Sequence, residues 1–262
     1  MTASPEALLP TSEQKAVEAF GDGSGVTVVA GGTIVMPEIN HGRLTPARTL
    51  LLTRAGLAGV ERSGSTVTLG AMTPVSELVD LPSPLGPAAA NVADFEVRAQ
   101  GTVGGNVCAD PGVAAPRGDL QGALLALGAS VRSAGAGGEQ NQPIEEFLGA
   151  RDGRLVLAVS FEEPSAGGYA RVDRPHAHTY TALAVSAARA ADGTVRIAAT
   201  GAGPHGLRLT SAEEKADEPE AAGEAALGDV DMQDDALASA WYRERTLPVL
   251  VRRALTQLRE SG

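Results

Sequence analysis

Two glycine pairs, each set just after an apolar run, constrain this chain more than any other feature. The first closes Val28-Val-Ala-Gly-Gly-Thr33, and the second lies within Gly101-Thr-Val-Gly-Gly-Asn106. Successive glycines lack Cβ, so backbone N–H groups there can turn toward a ligand oxygen and let it come close. A single pair in a chain with 32 glycines reads as a tight turn. Two matched pairs suit the two phosphates of a dinucleotide. The stretch Gly31-Gly-Thr-Ile-Val35 lacks the third spaced glycine of the nicotinamide-binding fingerprint. Its helix is expected before the strand, not directly after the loop, which also argues against that fold.

Composition narrows the function classes. The 262 residues, 43% of them hydrophobic, suffice for one large or two modest globular domains with buried cores. A net charge of −11 argues against a nucleic-acid surface, which needs clustered Lys and Arg. No stretch approaches a membrane span in length. Met1-Thr-Ala-Ser-Pro5 has neither the charged start nor the apolar core of a signal peptide, so a cytoplasmic protein is expected. The lone Cys108 excludes an internal disulfide and cannot by itself ligate an iron–sulfur cluster or a four-ligand zinc ion. It reads either as a redox-active group beside the second glycine pair or as a small buried hydrophobe. Nothing basic flanks it to lower a thiol pKa, which favours the second reading. Of His41, His176, His178 and His205, only His176 and His178 are close in sequence. No carboxylate or cysteine completes a cluster with them, and no metal is expected.

Read in order, the chain opens with a helix capped by Thr11 or Ser12 and ending at Phe20. Residues 26–30 form a strand leading into the first glycine pair, and 37–46 read as an irregular crossover to a second strand at 50–52. A hairpin follows over 57–62 and 66–69. Thr73 is expected to cap a helix with Pro74 at its first position. Residues 87–97 read as one helix delivering the chain to the second glycine pair. An apolar helix over 120–127, capped by Gly128, precedes strands from Val131 and over 155–161. The composition of 162–168 is that of a domain linker. Beyond it, 169–172, 180–190 and 194–199 read as antiparallel strands, the last two joined at Asp192-Gly193. Residues 213–224 read as a solvated acidic segment, and 237–258 as an amphipathic helix interrupted at Pro248.

The motifs Ala30-Gly-Gly-Thr33 and Gly101-Thr-Val-Gly-Gly-Asn106 resemble the two pyrophosphate-binding loops of the FAD-binding (medium) subunit of molybdenum hydroxylases. That family includes the flavoproteins of CO dehydrogenase and the FAD domain of xanthine dehydrogenase. The resemblance continues through Leu124-Leu-Ala-Leu-Gly-Ala129, Gly168-Tyr-Ala-Arg171 and Ala240-Trp-Tyr-Arg243, nearly the whole chain. It implies an α+β fold: a two-part FAD-binding domain of the p-cresol methylhydroxylase / vanillyl-alcohol oxidase type over 1–162, with subdomains of about 1–53 and 54–162. A small α+β domain over 168–262 would follow.

The same resemblance implies the site. Val28, Val29, Ala30, Gly31, Gly32, Thr33, Ile34 and Val35 would wrap one side of the FAD pyrophosphate. Thr102, Val103, Gly104, Gly105 and Asn106 would wrap the other, through backbone N–H groups and the hydroxyls of Thr33 and Thr102. Asp119 matches a carboxylate that contacts the cofactor in the family, with Asp110 its rival across a segment carrying extra residues. Arg171 stands where relatives carry Lys, exchanging a point charge for a fork. Val156 stands where a Leu packs near the flavin, its other reading being a core strand residue. Tyr180 resembles an aromatic near the isoalloxazine, its other reading being a buried strand tyrosine. No catalytic side chain is nominated. Replacing Gly32 or Gly104 with a bulkier residue is expected to block phosphate approach and leave the fold intact.

What the resemblance implies of function is electron transfer within a complex. A large molybdopterin subunit and a small [2Fe–2S] subunit are the expected partners, with electrons passing through FAD to an external acceptor. Two rivals stay open: a stand-alone FAD-dependent oxidoreductase of the same fold, and a flavin-free assembly homologue.

Overall fold

A computed structural model describes residues 5–109, 118–173 and 181–262; Asp110, His176, His178 and Tyr180 lie outside these residues. The chain opens with β1 (Glu6–Leu8), α1 (Glu13–Phe20), β2 (Val26–Val29), α2 (Val35–Asn40) and β3 (Arg48–Leu51). The strands pair in the order β1-β3-β2, all parallel. Ser12 caps α1, its Oγ accepting from the Lys15 N–H at 3.3 Å. Ala16 and Phe20 on the inner face of α1 pack with Leu50 and Leu52. The connection from β2 to β3 is not the irregular crossover expected: the first glycine loop runs directly into α2. Parallel neighbours require a crossover, and Pro37 is tolerated there because it falls in the helix's first turn.

A second sheet is built from β4 (Val60–Ser63), β5 (Thr66–Gly70), β6 (Ser130–Gly135), β7 (Gly138–Pro143) and β8 (Arg154–Glu162). Its order is β4-β5-β8-β6-β7, antiparallel throughout. Between β5 and β6 lie α3 (Leu85–Ala90), α4 (Phe95–Gln100), α5 (Val103–Val107) and α6 (Gln121–Ala126), and α7 (Ile144–Gly149) follows β7. Thr73 does not cap a helix. Its hydroxyl exchanges hydrogen bonds with the backbone of Gly59, and only a short 3-10 turn, Val75–Leu78, follows. The helix expected over 87–97 is two helices. They are parted at Ala93, which adopts φ 40°, and Asp94 restarts the chain as cap of α4.

The third sheet, in the order β12-β11-β10-β9, comprises β9 (Ala166–Asp173), β10 (Thr181–Arg189), β11 (Val195–Thr200) and β12 (Leu207–Arg208). Helices α8 (Thr210–Glu213), α9 (Pro219–Ala225) and α10 (Ala240–Glu260) complete the chain. Strand β10 reads Thr-Ala-Leu-Ala-Val-Ser-Ala-Ala-Arg, small and apolar almost without break, because both faces of the sheet are covered. Leu183, Val185 and Ala187 pack with Leu247, Leu250, Val251 and Ala254 of α10. Ala184 and Ala188 face the other way and join Leu124 and Leu125 of α6 in the main core. One hydrophobic core therefore runs from the five-stranded sheet into the third sheet.

Three expectations about this half change. Residues 166–168 are strand, not linker: a Cβ on Gly167 would overlap Ser83 O, and one on Gly168 would overlap Ala254 O, so these glycines allow close packing. The acidic segment is not fully solvated, since Ala222 and Gly223 are buried, and a Cβ on Gly223 would stand 2.7 Å from Pro248 O of α10. Helix α10 also continues through Pro248 without a break. At its N-terminal end Arg243, only 2% exposed, donates to Ala182 O, Gln233 O and Asp235 Oδ1 at 3.1, 2.6 and 2.6 Å. A buried guanidinium is tolerable only when satisfied in this way, and these bonds pin the helix to β10.

Cys108 follows α5 and packs against the main core while keeping some exposed surface. Burial pushes its thiol up to about 11. The unfolded thiol ionises first, so stability is unaffected below the ordinary thiol range and falls as pH rises from there through about 11. Native protein at neutral pH should resist alkylation by iodoacetamide and react fully once denatured; equal rates in the two states would place the thiol outside the core. Gly168→Ala should lift α10 from β9 and cost on the order of 1–3 kcal/mol, read from urea unfolding.

Candidate cofactor site at the paired glycine segments

The structure brings the two glycine segments against each other. Gly31 lies on the backbone of Gln100 and Gly101, so closely that a Cβ would overlap Gln100 O and come within 3.0 Å of the Gly101 Cα. A Cβ on Gly101 would stand 3.7 Å from Thr33 Oγ1, and one on Gly105 would stand 3.9 Å from the Ala30 Cβ. Ala30 to Thr33, all half-buried, thus pack against Gln100 to Gly105.

The two sides differ in the backbone donors they have left. On the α5 side every early amide is committed. The Val103 N–H donates to Thr73 O at 3.0 Å and the Gly104 N–H to Ala71 O at 2.8 Å. The Gly105 N–H goes to Thr102 Oγ1 at 3.2 Å, and the Asn106 N–H to Thr102 O at 2.8 Å. In the first loop, by contrast, the amides of Gly31, Gly32, Thr33 and Ile34 have no acceptor among the described residues. Gly32 adopts φ 74°, and successive backbone donors around a left-handed residue are an arrangement suited to phosphate oxygens. Partly buried amides of this kind are rarely left without an acceptor, so the loop fits an anionic ligand.

The glycines also differ in role. A Cβ on Gly104 would come within 2.9 Å of the Ala71 Cβ and 3.1 Å of Ala71 O, inside the core. A bulky residue there dislodges α5 itself, contrary to the expectation of a harmless local change. Gly32 tolerates little more, because its backbone is left-handed and its Cβ would stand 3.1 Å from Met36 Cγ.

Asn106 turns its side chain toward the protein: Oδ1 accepts from the Leu120 N–H at 2.9 Å. This bond holds the turn carrying Asp119, a carboxylate only 7% exposed. Val156, in β8, is 4% exposed, packs in the main core and lies opposite Ser133 of β6. Arg171, in β9, is half-buried with Nη1 3.5 Å from Asn91 O, close to the turn at Ala93. Arg98 grips the same turn, donating to Val92 O and Ala93 O at 2.9 Å each. Val28 and Val29 end β2 below the loop, and Val35 begins α2 above it. Sequence reasoning passed over Gln121, whose buried amide bridges the 107–109 segment and Gly206. The available signal was a polar residue opening an otherwise apolar helical run. Among the described residues no cluster of three or more His, Cys, Asp or Glu side chains has metal-binding geometry, and no helix is long and apolar enough to cross a membrane.

Known proteins share this architecture. Carbon monoxide dehydrogenase from Hydrogenophaga pseudoflava contains a chain that superposes with a TM-score of 0.84 at 25% identity, covering 100% of this chain and 99% of that one. A chain of quinoline 2-oxidoreductase from Pseudomonas putida 86, at 18% identity and a TM-score of 0.81, shares the fold over 99% of this chain and 98% of its own. In sequence, the carbon monoxide dehydrogenase medium chain of Hydrogenophaga pseudoflava is 26% identical, with 94% of each protein covered. The 6-hydroxypseudooxynicotine dehydrogenase complex subunit alpha of Paenarthrobacter nicotinovorans is also 26% identical, over 94% of this chain and 91% of its own length. Residues 3–161 match the family described as the FAD binding domain in molybdopterin dehydrogenase. This chain belongs to that family of FAD-binding oxidoreductase components and is homologous, over nearly its whole length, to the medium subunits of the molybdenum hydroxylases.

Proposed function

We propose that the chain is the FAD-binding electron-transfer subunit of a molybdenum hydroxylase complex of the xanthine, CO or aldehyde dehydrogenase type. The observation that carries this reading is the first glycine loop, with its run of uncommitted amides facing the second glycine segment. Ala30 to Ile34 hold one flank of the pyrophosphate through backbone N–H groups and the Thr33 hydroxyl. Thr102 to Asn106 form the opposite flank, where glycines keep the backbone low and the Thr102 hydroxyl keeps its own proton to donate. Asp119 offers a buried carboxylate beside that flank, able to accept from ribose hydroxyls. Arg171, with Tyr180 and Val156, is assigned toward the isoalloxazine end. Bound FAD would supply the electron-accepting and electron-donating chemistry, while this chain sets its position, polarity and access.

The domain reading is part of the proposal: 1–162 as a two-part FAD-binding domain of the p-cresol methylhydroxylase type, divided near 53, and 168–262 as the C-terminal domain. It is supported by a parallel three-stranded sheet within the first part and an antiparallel five-stranded sheet within the second. The sole cysteine is Cys108, so clusters must come from elsewhere; we assign them to a small [2Fe–2S] subunit and substrate oxidation to a large molybdopterin subunit, in the cytoplasm. Two relatives support this, one named as subunit of a dehydrogenase complex and one as a medium chain.

Purification from the native host should give a flavin-containing complex whose flavin is bleached by substrate only while the partner subunits are present. A lone chain oxidising small molecules at full rate would overturn the assignment. Thr33→Val, which keeps shape and removes one donor, should weaken FAD binding roughly fivefold with an unchanged melting temperature. Gly104→Val should instead lower the melting temperature of the flavin-free protein, because it collides with Ala71.

A further inference from the structure

We propose that Gln121 is a positioning residue for the FAD site, through which the third sheet fixes the Asp119 turn against α5. The proposal rests on the reading of Asp119 and the glycine segments as the cofactor site. Gln121 opens α6, a helix otherwise apolar, and is 1% exposed. Burying an amide costs free energy unless its donors and acceptor are met, and here they are. Nε2 donates to Val107 O at 2.8 Å and to Ala109 O at 3.2 Å, both at the C-terminal end of α5. Oε1 accepts from the Gly206 N–H at 2.7 Å, on the turn between β11 and β12. Two carbonyls on one side and one N–H on the other allow a single orientation of the amide.

The neighbouring contacts converge on the same short stretch. A Cβ on Gly118 would overlap the Gln121 side chain, so the amide lies directly across the residue before Asp119. The Leu120 N–H is held by Asn106 Oδ1 at 2.9 Å, and the Gly122 N–H by Thr200 Oγ1, at the end of β11, at 3.0 Å. A Cβ on Gly206 would press on the Gln121 Cβ at 2.7 Å. Residues 118–122 are therefore clamped between α5 on one side and the 200–206 turn on the other. The Gln121 side chain bonds to both. An apolar replacement would fill the space yet leave Val107 O, Ala109 O and the Gly206 N–H unmet, freeing the Asp119 turn to drift from α5.

The test is FAD titration of the flavin-free full-length chain, with thermal unfolding of each flavin-free form alongside. Gln121→Met should weaken FAD roughly tenfold. Gly206→Ala, which displaces the amide without altering it, should shift affinity in the same direction. Gln121→Glu supplies the readout that mere structural damage would not give. As a carboxylate it repels Val107 O and Ala109 O; once protonated it can donate to one of them while accepting from Gly206 N–H. Its FAD affinity should therefore recover toward wild type as pH is lowered. Wild type measured over the same range removes the contributions of His205 and Asp119, the titratable groups beside it. Variants that bind FAD like wild type, or a Gln121→Glu profile parallel to wild type, would overturn the proposal alone. A wild-type chain that takes up no FAD would overturn the cofactor reading and the proposal with it.

Discussion

Helix α5 gives its first two amides to carbonyls at the end of β5, the Val103 N–H to Thr73 O and the Gly104 N–H to Ala71 O. An isolated pairing of Pro74 with Thr102 and a bond from the Val75 N–H to Gly101 O continue the stitching. This seam sets the height of the Gln100–Gly101 backbone, and that backbone is the surface on which Gly31 rests. The loop after β2 and the segment before α5 meet there so closely that a Cβ on Gly31 would overlap Gln100 O. The juxtaposition of the two glycine segments is a product of that backbone-to-backbone contact.

One consequence is a division of labour between glycine pairs that look alike in sequence. The α5 pair spends its hydrogen-bonding capacity on the protein, and Gly104 is required by Ala71, not by a ligand. The first pair keeps its donors free because it lies in a loop between β2 and α2, beyond the reach of the β3 ladder. Glycine can serve close packing, left-handed backbone or ligand approach, and only the surroundings tell which of these applies.

Much of the scaffold was legible in the sequence. Helix α1 and its Ser12 cap, the hairpin at 63–66 and the turn at Asp192-Gly193 follow from local rules that tertiary context did not override. The family resemblance was strongest on two short motifs, in which Gly31, Gly32 and Gly104 sit where a larger residue would clash or strain the backbone. What could not be read was set by distant partners. Strand β7, Gly-Glu-Gln-Asn-Gln-Pro, has no apolar alternation, since it is an exposed edge whose only instruction is β6 beside it. The glycines at 167 and 168 look like a flexible linker until Ser83 and Ala254 are placed against them. Thr73 had the position of a cap, but Gly59 offered its hydroxyl both a donor and an acceptor. Among the site residues, the glycine segments could be found from spacing, whereas the bonds of Asn106 and Gln121 needed the fold to bring their acceptors and donors near.

Helix α6 presses one flank on the five-stranded layer and the other on Ala184, Ala188 and Ala198 of the third sheet, so the main core is shared between the two halves. Cutting at 162 would strip α6 of half its covering, and an excised N-terminal half would expose leucines that aggregate. For anyone building chimeras between relatives, the compatible exchange is therefore α6 together with the third sheet, and a boundary chosen from linker-like composition would cut through shared packing.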